Sequence, residues 1–193
     1  LVWGAAPNRW VVAETADLPA GTALDVAAGE GRNSIWLAQR GWRVTAVDFA
    51  SVAVERGQRL AAAEPDAADR LTWVVADVRA YAPPPAAFDL VLLAYLHLPA
   101  DQRREVLRHA ATGLAPGGTL LVVGHDTTNL TEGRGGPQDA TRLFTPDDVT
   151  ADLADAGLET VSARRVRRPV PGPDGTPEGP EAIDALIRMR RPA

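Results

Sequence analysis

The sequence predicts a doubly wound α/β fold, a mostly parallel sheet with helices on both faces, and three features predict it. Short apolar segments alternate with helix-like segments for five rounds along the 193-residue chain. The segment Phe88–Ala94 is apolar but for Asp89 and does not alternate, as expected of a parallel strand buried on both faces. Acids and glycines close the strand-like segments, at Asp25 to Gly31, Asp48 and Asp77, where open α/β sheets gather their ligands. With 46% hydrophobic residues the chain can bury one substantial core, so a single domain over residues 1–193 is expected. Because the chain opens on Leu1, its N-terminal segment is expected to be incomplete.

Each element follows from local chemistry. Asn8 caps a first helix over 9–17, which Pro19 and Gly21 end in a turn before a strand over 22–26. The Ala/Gly loop to Gly31 opens a helix through Arg40, with Gly41 as its C-terminal stop. Val44, Ala46 and Val47 make a second strand ending at Asp48; Ser51 then caps a helix to about Glu64, where Pro65 breaks it. A third strand over 71–76 ends at Asp77, and three prolines lead stiffly into the central strand at Phe88. Residues 101–114 read as a helix, Pro116-Gly117-Gly118 as a turn, and 119–124 as the fifth strand. After a polar, Gly-rich loop, Thr145-Pro146-Asp147-Asp148 supplies an N-cap, a proline at the first helical position and an acidic first turn, for a helix ending at Gly157. Residues 158–170 and 181–191 read as a closing antiparallel pair, joined across the Pro/Gly-rich stretch 171–180.

Composition excludes several chemistries. Cysteine is absent and all 20 basic residues are arginine, which removes thiolate nucleophiles, Cys-ligated zinc, Schiff-base lysines and the P-loop lysine. No metal site is expected. A formal charge of −5 argues against a nucleic-acid groove or an anionic membrane surface as partner. The apolar stretches at 90–98 and 119–123 fall short of the roughly 20 residues a membrane helix needs, so a cytoplasmic location is the expectation.

The strand ends hold the informative residues. In Asp25-Val26-Ala27-Ala28-Gly29-Glu30-Gly31, Gly29 and Gly31 let backbone approach a ligand, and the following helix start offers unpaired N–H groups to an anion. The same Gly-x-Gly is also compatible with a bare tight turn. Asp48 suits the diol of a ribose, or else a helix cap. Asp77 can accept from an adenine amino group beside the apolar Val78, or else sit in solvent. Three acids ending three successive strands along one crevice say more together than any one alone. A nicotinamide dinucleotide is the sharpest competitor, since Asp48 stands near the distance after Gly31 where that fingerprint has its acid. Ser34 in place of the third glycine and the negative Asp25 beside a would-be pyrophosphate count against it, whereas a sulfonium ligand tolerates that acid.

Those segments, with Arg32-Asn33, Trp36-Leu37-Ala38, Val47-Asp48-Phe49, Ala76-Asp77-Val78, Phe88-Asp89-Leu90-Val91 and Leu114-Ala115-Pro116-Gly117-Gly118, resemble class I S-adenosylmethionine-dependent methyltransferases. The resemblance is strongest to the bacterial branch of tellurite-resistance and thiopurine-like methyltransferases. It implies a Rossmann-like, seven-stranded sheet of order 3-2-1-4-5-7-6 with strand 7 antiparallel. It also implies S-adenosyl-L-methionine as cofactor, S-adenosyl-L-homocysteine as product, and cofactor contacts at Asp25, Gly29, Gly31, Asp48, Phe49, Asp77 and Val78. Asp25 either orients the glycine loop or accepts from the cofactor's amino group. Ala27 stands where many relatives have glycine, and residues 1–8, with Trp3, resemble the segment that closes over the cofactor.

Methyl transfer is an in-line displacement, so alignment dominates and base assistance is needed only for a protonated nucleophile. A small-molecule acceptor is expected beyond strands four and five, where Tyr95, His97, His125 and Asp126 stand. His125, oriented by Asp126 or the nearby loop, is the first candidate base and His97 the second; both are otherwise pocket walls. The loop 126–143 suits an acceptor lid, with Arg134 and Arg142 as anion contacts, while Arg164, Arg165, Arg167 and Arg168 read as a solvated or carboxylate-paired edge. A cofactor-binding protein without transferase activity remains the alternative from a different class. Oligomeric state and acceptor identity are not legible.

Overall fold

The computed structural model describes residues 6–170 and 181–193. The expected closing segment around Trp3 and the connection 171–180 lie mostly or wholly outside these residues.

The chain runs α1 (Arg9–Thr15), β1 (Thr22–Val26), α2 (Arg32–Gln39), β2 (Arg43–Asp48), α3 (Ser51–Ala61), α4 (Pro65–Ala68), β3 (Leu71–Val75), β4 (Phe88–Ala94), α5 (Ala100–Thr112), β5 (Leu114–His125), α6 (Asn129–Glu132), α7 (Pro146–Asp152), β6 (Glu159–Pro169) and β7 (Glu181–Arg190). The strands form one seven-stranded sheet of order β3-β2-β1-β4-β5-β7-β6. All neighbours up to β5 pair parallel, and β7 pairs antiparallel with both β5 and β6. The expected topology is therefore the observed one.

Two apolar layers hold the sheet. On one face Val106, Leu107 and Ala110 of α5 and Val149 of α7 pack on Val91, Leu93, Val122, Ala185, Ile187 and Met189. On the other, Val11 of α1 and Leu37 and Ala38 of α2 cover Leu90, Leu92, Leu121, Val123 and Leu186. Strand β7 is thus buried on both faces, which explains why the alternation of Ile183, Ala185, Ile187 and Met189 is filled in by Ala182, Asp184 and Leu186, all equally inaccessible.

Several local expectations are sharpened. Asn8 accepts from the Trp10 and Val11 N–H groups, and Thr145 with Asp148 forms a reciprocal capping box. Gly41 follows α2 at φ +92°, a left-handed stop that a side chain would strain. The N-cap of α3 is Ala50 rather than Ser51, and Pro65 opens the short α4 after α3 has already ended at Ala61. Helix α7 stops at Asp152, whose buried carboxylate accepts from Arg103 at 2.8 Å and Arg104 at 3.0 Å of α5, and the chain turns to Gly157. The Pro116-Gly117-Gly118 turn lies inside β5 as a register irregularity, with Phe88 opposite Leu114 and Leu90 opposite Thr119.

Candidate functional site

The parallel strands β1, β2 and β3 end side by side, Val26 beside Val47 and Asp48 beside Val75, so their carboxyl-end loops form one edge. The loop after β1 turns at Ala27, Gly29 and Gly31, with φ of 61°, 60° and 78°. Alanine at the first of these holds a left-handed conformation at a cost glycine would avoid. A side chain on Gly29 would meet nothing within 4 Å, so this part of the loop opens onto free space. A side chain on Gly31 would collide with the Trp73 ring, as would one on Gly57 of α3; the β3 indole fills the seam between glycine loop and helix.

The three acids behave differently. Asp25 is fully buried at the end of β1 and accepts from the Ser34 hydroxyl at 2.6 Å. Burial pushes its carboxyl up to about 7, partly opposed by Ser34 and reinforced by the negative Asp48. Asp48 grips the loop: one oxygen accepts from Gly29 N–H at 2.8 Å and the other from Ala50 N–H at 2.9 Å. Each oxygen keeps a lone pair for a further donor. Asp77 is exposed and takes a bidentate pair from Arg79, which holds its carboxyl below the usual range. Val78 beside it is buried, while Phe49 presents 75% of its surface to solvent next to Asp48. An exposed aromatic on this rim is a surface in want of a flat partner.

The second half of the edge lies beyond β4 and β5. Tyr95 leaves β4 at φ +59°, a conformation a bulky residue adopts only when its surroundings enforce it, and its N–H donates to Val123 O at 2.7 Å. Its ring meets the His125 ring edge-on at 5.1 Å, and His97 stacks on His125 at 5.4 Å and 15°. Burial pushes His97 down to about 4, so it is neutral at pH 7, and its Nδ1 faces the Arg142 carbonyl at 3.2 Å.

At the back of this cluster stands Asp184, which the sequence reading did not single out. It is fully buried on β7, opposite His125 of β5 and Val166 of β6. One oxygen, Oδ2, accepts from Trp10 Nε1 at 3.1 Å, Tyr95 Oη at 2.8 Å and Arg168 Nε at 2.8 Å. The other, Oδ1, stands 3.3 Å from His125 Nδ1. Burial alone would raise this carboxyl, but His125, Arg168 and Tyr95 hold it below the usual range. Burial in turn pushes the Tyr95 phenol up to about 12, which keeps it a donor.

Asp126, the neighbour expected to orient His125, does something else. Its Oδ1 accepts from Thr128 N–H at 2.9 Å and pairs with Arg165 at 2.9 Å, fixing the loop after β5. All four β6 arginines end on carboxylates: Arg164 on Glu14, Arg165 on Asp126, Arg167 on Glu132 and Arg168 on Asp184. In the long loop, Arg142 pairs with Asp139, and Gly136 passes so close to His125 that a Cβ there would collide with its ring. Among the described residues no group of His, Asp and Glu side chains is arranged to hold a metal ion, and no helix is long and apolar enough to cross a membrane.

Residues 23–118 match a family model described as a methyltransferase domain. Uncharacterized methyltransferases of Mycobacterium tuberculosis and Mycobacterium bovis are 37% identical over 119 residues, covering 60% of this chain and 57% of theirs. The chain thus spans little more than half the length of these curated relatives. The structure of a glycopeptide N-methyltransferase complexed with S-adenosyl-L-methionine superimposes with a TM-score of 0.72 at 22% identity, over 98% of this chain and 89% of the other. TehB of Haemophilus influenzae does so with a TM-score of 0.73 at 15% identity, over 94% of this chain and 61% of the other. Residues 23–118 thus resemble methyltransferase domains in sequence, and the described sheet has the Rossmann-like fold of the solved S-adenosylmethionine-dependent methyltransferases.

Proposed function

We propose that this chain, as a carrier of that fold, moves the sulfonium methyl of S-adenosylmethionine to a small-molecule acceptor and releases S-adenosylhomocysteine. One observation carries the reading: a cofactor-type glycine loop and the Tyr95–His97–His125 cluster share one edge of the sheet, on neighbouring strand ends. The cofactor supplies a methyl group already activated by positive sulfur. The open side of Gly29, the spare lone pairs of Asp48 and the exposed Phe49 fit a nucleoside with a diol and a flat base. In this reading Gly29 and Gly31 receive the amino-acid end, with Asp25 near the cation. Asp48 holds the ribose, and Asp77 with Val78 and Phe49 hold the adenine. His125 takes a proton from the acceptor, and His97 stays neutral as a wall. The finer kinship with tellurite-resistance methyltransferases rests on fold likeness to TehB and on the quoted motifs.

Incubation with S-adenosylmethionine and panels of phenols, thiols, small amines, tellurite and selenite, read by S-adenosylhomocysteine release, tests the activity. Binding without release across the panels would favour a cofactor-binding protein without transfer. Asp48→Ala should weaken S-adenosylmethionine binding by about 1.5–3 kcal/mol, the range for hydrogen bonds to a charged group. Titration calorimetry on the folded variant checks this, and unchanged affinity removes Asp48 from the site.

Asp25 gives the binding a pH dependence. A carboxyl raised from 3.8 to about 7 is protonated in the free protein below that value, so its contribution to stability is full at low pH and is lost as pH rises through about 7. A cationic ligand beside it favours the ionised form. Affinity for S-adenosylmethionine should therefore fall as pH drops below about 7, by up to roughly tenfold per unit, with a proton released on binding. Calorimetry at pH 6 in two buffers of different ionisation heat measures that proton. Its absence would detach Asp25 from the cation.

A further inference from the structure

We infer that Asp184 is the positioning residue of the site: it fixes His125 in the tautomer that carries its proton on Nδ1 and leaves the Nε2 lone pair free. The use made of that lone pair rests on the reading of His125 as the base.

His125 Nδ1 and Asp184 Oδ1 are both enclosed and 3.3 Å apart, an ion-pair contact, and among the described residues neither makes an aligned hydrogen bond to any partner. Were Nδ1 unprotonated, its lone pair would face a carboxylate lone pair in an enclosed interior, two acceptors turned toward each other. With the proton on Nδ1 a donor faces the carboxylate, and a small turn of the ring aligns the ion pair into a charge-assisted hydrogen bond. The carboxylate cannot turn away, because Trp10, Tyr95 and Arg168 all donate to its other oxygen. Nor can the ring swing out easily: His97 stacks on it, Tyr95 abuts it edge-on and the Gly136 backbone passes along Cδ2 and Nε2. Nε2 has no hydrogen-bond partner among the described residues and is not one of the enclosed unpartnered atoms. The titratable and charged groups around the ring are thus His97 and Tyr95 from the segment after β4, Asp184 of β7 and, through it, Arg168 of β6.

The same logic fixes His97, whose Nδ1 faces a carbonyl oxygen that can only accept. Both stacked imidazoles therefore carry their proton on Nδ1, but only His125 has a carboxylate behind that proton. When an acceptor X–H is methylated, the X–C bond forms as the C–S bond breaks, with its electron pair passing to sulfur. The proton moves from X to Nε2. The imidazolium so formed then faces an anion rather than an empty interior, an arrangement that His97 lacks.

The chain has three histidines, so the long-range proton–nitrogen spectrum of ¹⁵N-labelled free protein, assigned with His97→Gln and His125→Gln, resolves each ring. At pH 8 the wild type should show His125 with a protonated Nδ1 and an imine-type Nε2. Asp184→Asn should reverse this. The amide would keep its oxygen for the three donors and turn its NH₂ toward Nδ1, driving the proton to Nε2. A wild-type His125 protonated on Nε2, or a rapidly averaging ring, overturns the inference whether or not the variant folds. A folded Asp184→Asn with an unchanged His125 pattern overturns it as well. Because the measurement uses no acceptor, it is separate from the base role, whose failure would show only in transfer rates.

Discussion

Ile187→Asp should leave the chain unfolded. Ile187 is fully buried in β7, between Val122 of β5 and Ala163 of β6, and forms part of the layer packed under α5 and α7. Removing a buried isoleucine side chain costs about 2–5 kcal/mol by itself. An unpaired carboxylate in the same place adds a desolvation penalty of several kcal/mol more, against a total stability on the order of 5–15 kcal/mol for a domain. The expected result is loss of helical circular dichroism and of soluble, monodisperse protein. Ile187→Val should lose only about 0.5–1.5 kcal/mol and keep the fold. An Ile187→Asp protein that melts like wild type would mean that β7 does not run through the middle of the sheet.

The second large effect concerns rate. Once an acceptor is in hand, His125→Ala should lower kcat by on the order of 10²–10⁴-fold, the usual worth of a general base, while S-adenosylmethionine affinity changes little. It should also erase the acidic limb of the pH–rate profile, the signature of a base that must be unprotonated to act. His97 cannot produce a limb near neutrality, since burial already holds it near 4. His97→Gln should therefore keep the limb and shift mainly KM. Equal profiles and rates in wild type and both variants would reduce the two rings to walls, leaving alignment as the source of rate.

The order of the elements was readable because each depends on neighbours in sequence. Asn8 and Thr145 announce helix starts, Gly41 a stop, and the apolar run LVLLA after Asp89 a strand covered on both faces. The antiparallel end of the sheet was readable from the alternation in 181–191. What could not be read was the partner of His125. Asp126 is its neighbour along the chain, but it lies just past the end of β5 and turns to Arg165 and the following loop. Asp184 reaches His125 only through the β5–β7 register, which no local pattern specifies. A signal was present nonetheless: in Ala-Ile-Asp-Ala-Leu-Ile a lone acid interrupts an apolar strand, and a buried charge needs partners. The bonding of Asp48 to the glycine loop after β1 was likewise hidden, because it depends on how tightly the chain turns at Gly29.

The arginine-laden β6 bears on how molecules of this protein treat one another. It is an outer strand of the sheet, and an unpaired strand edge invites a second chain to add itself by backbone hydrogen bonding. Arg164, Arg165 and Arg167, each held by a carboxylate of its own molecule, surround that edge with half-exposed guanidinium groups. An incoming strand would have to strip these pairs or bury their charge, and an identical strand would bring the same cations with it. Replacing Arg167, whose partner Glu132 is itself exposed, with valine or threonine would leave the fold's interior untouched and open part of β6 as a template for stacking, so the residues that guard this edge work against aggregation.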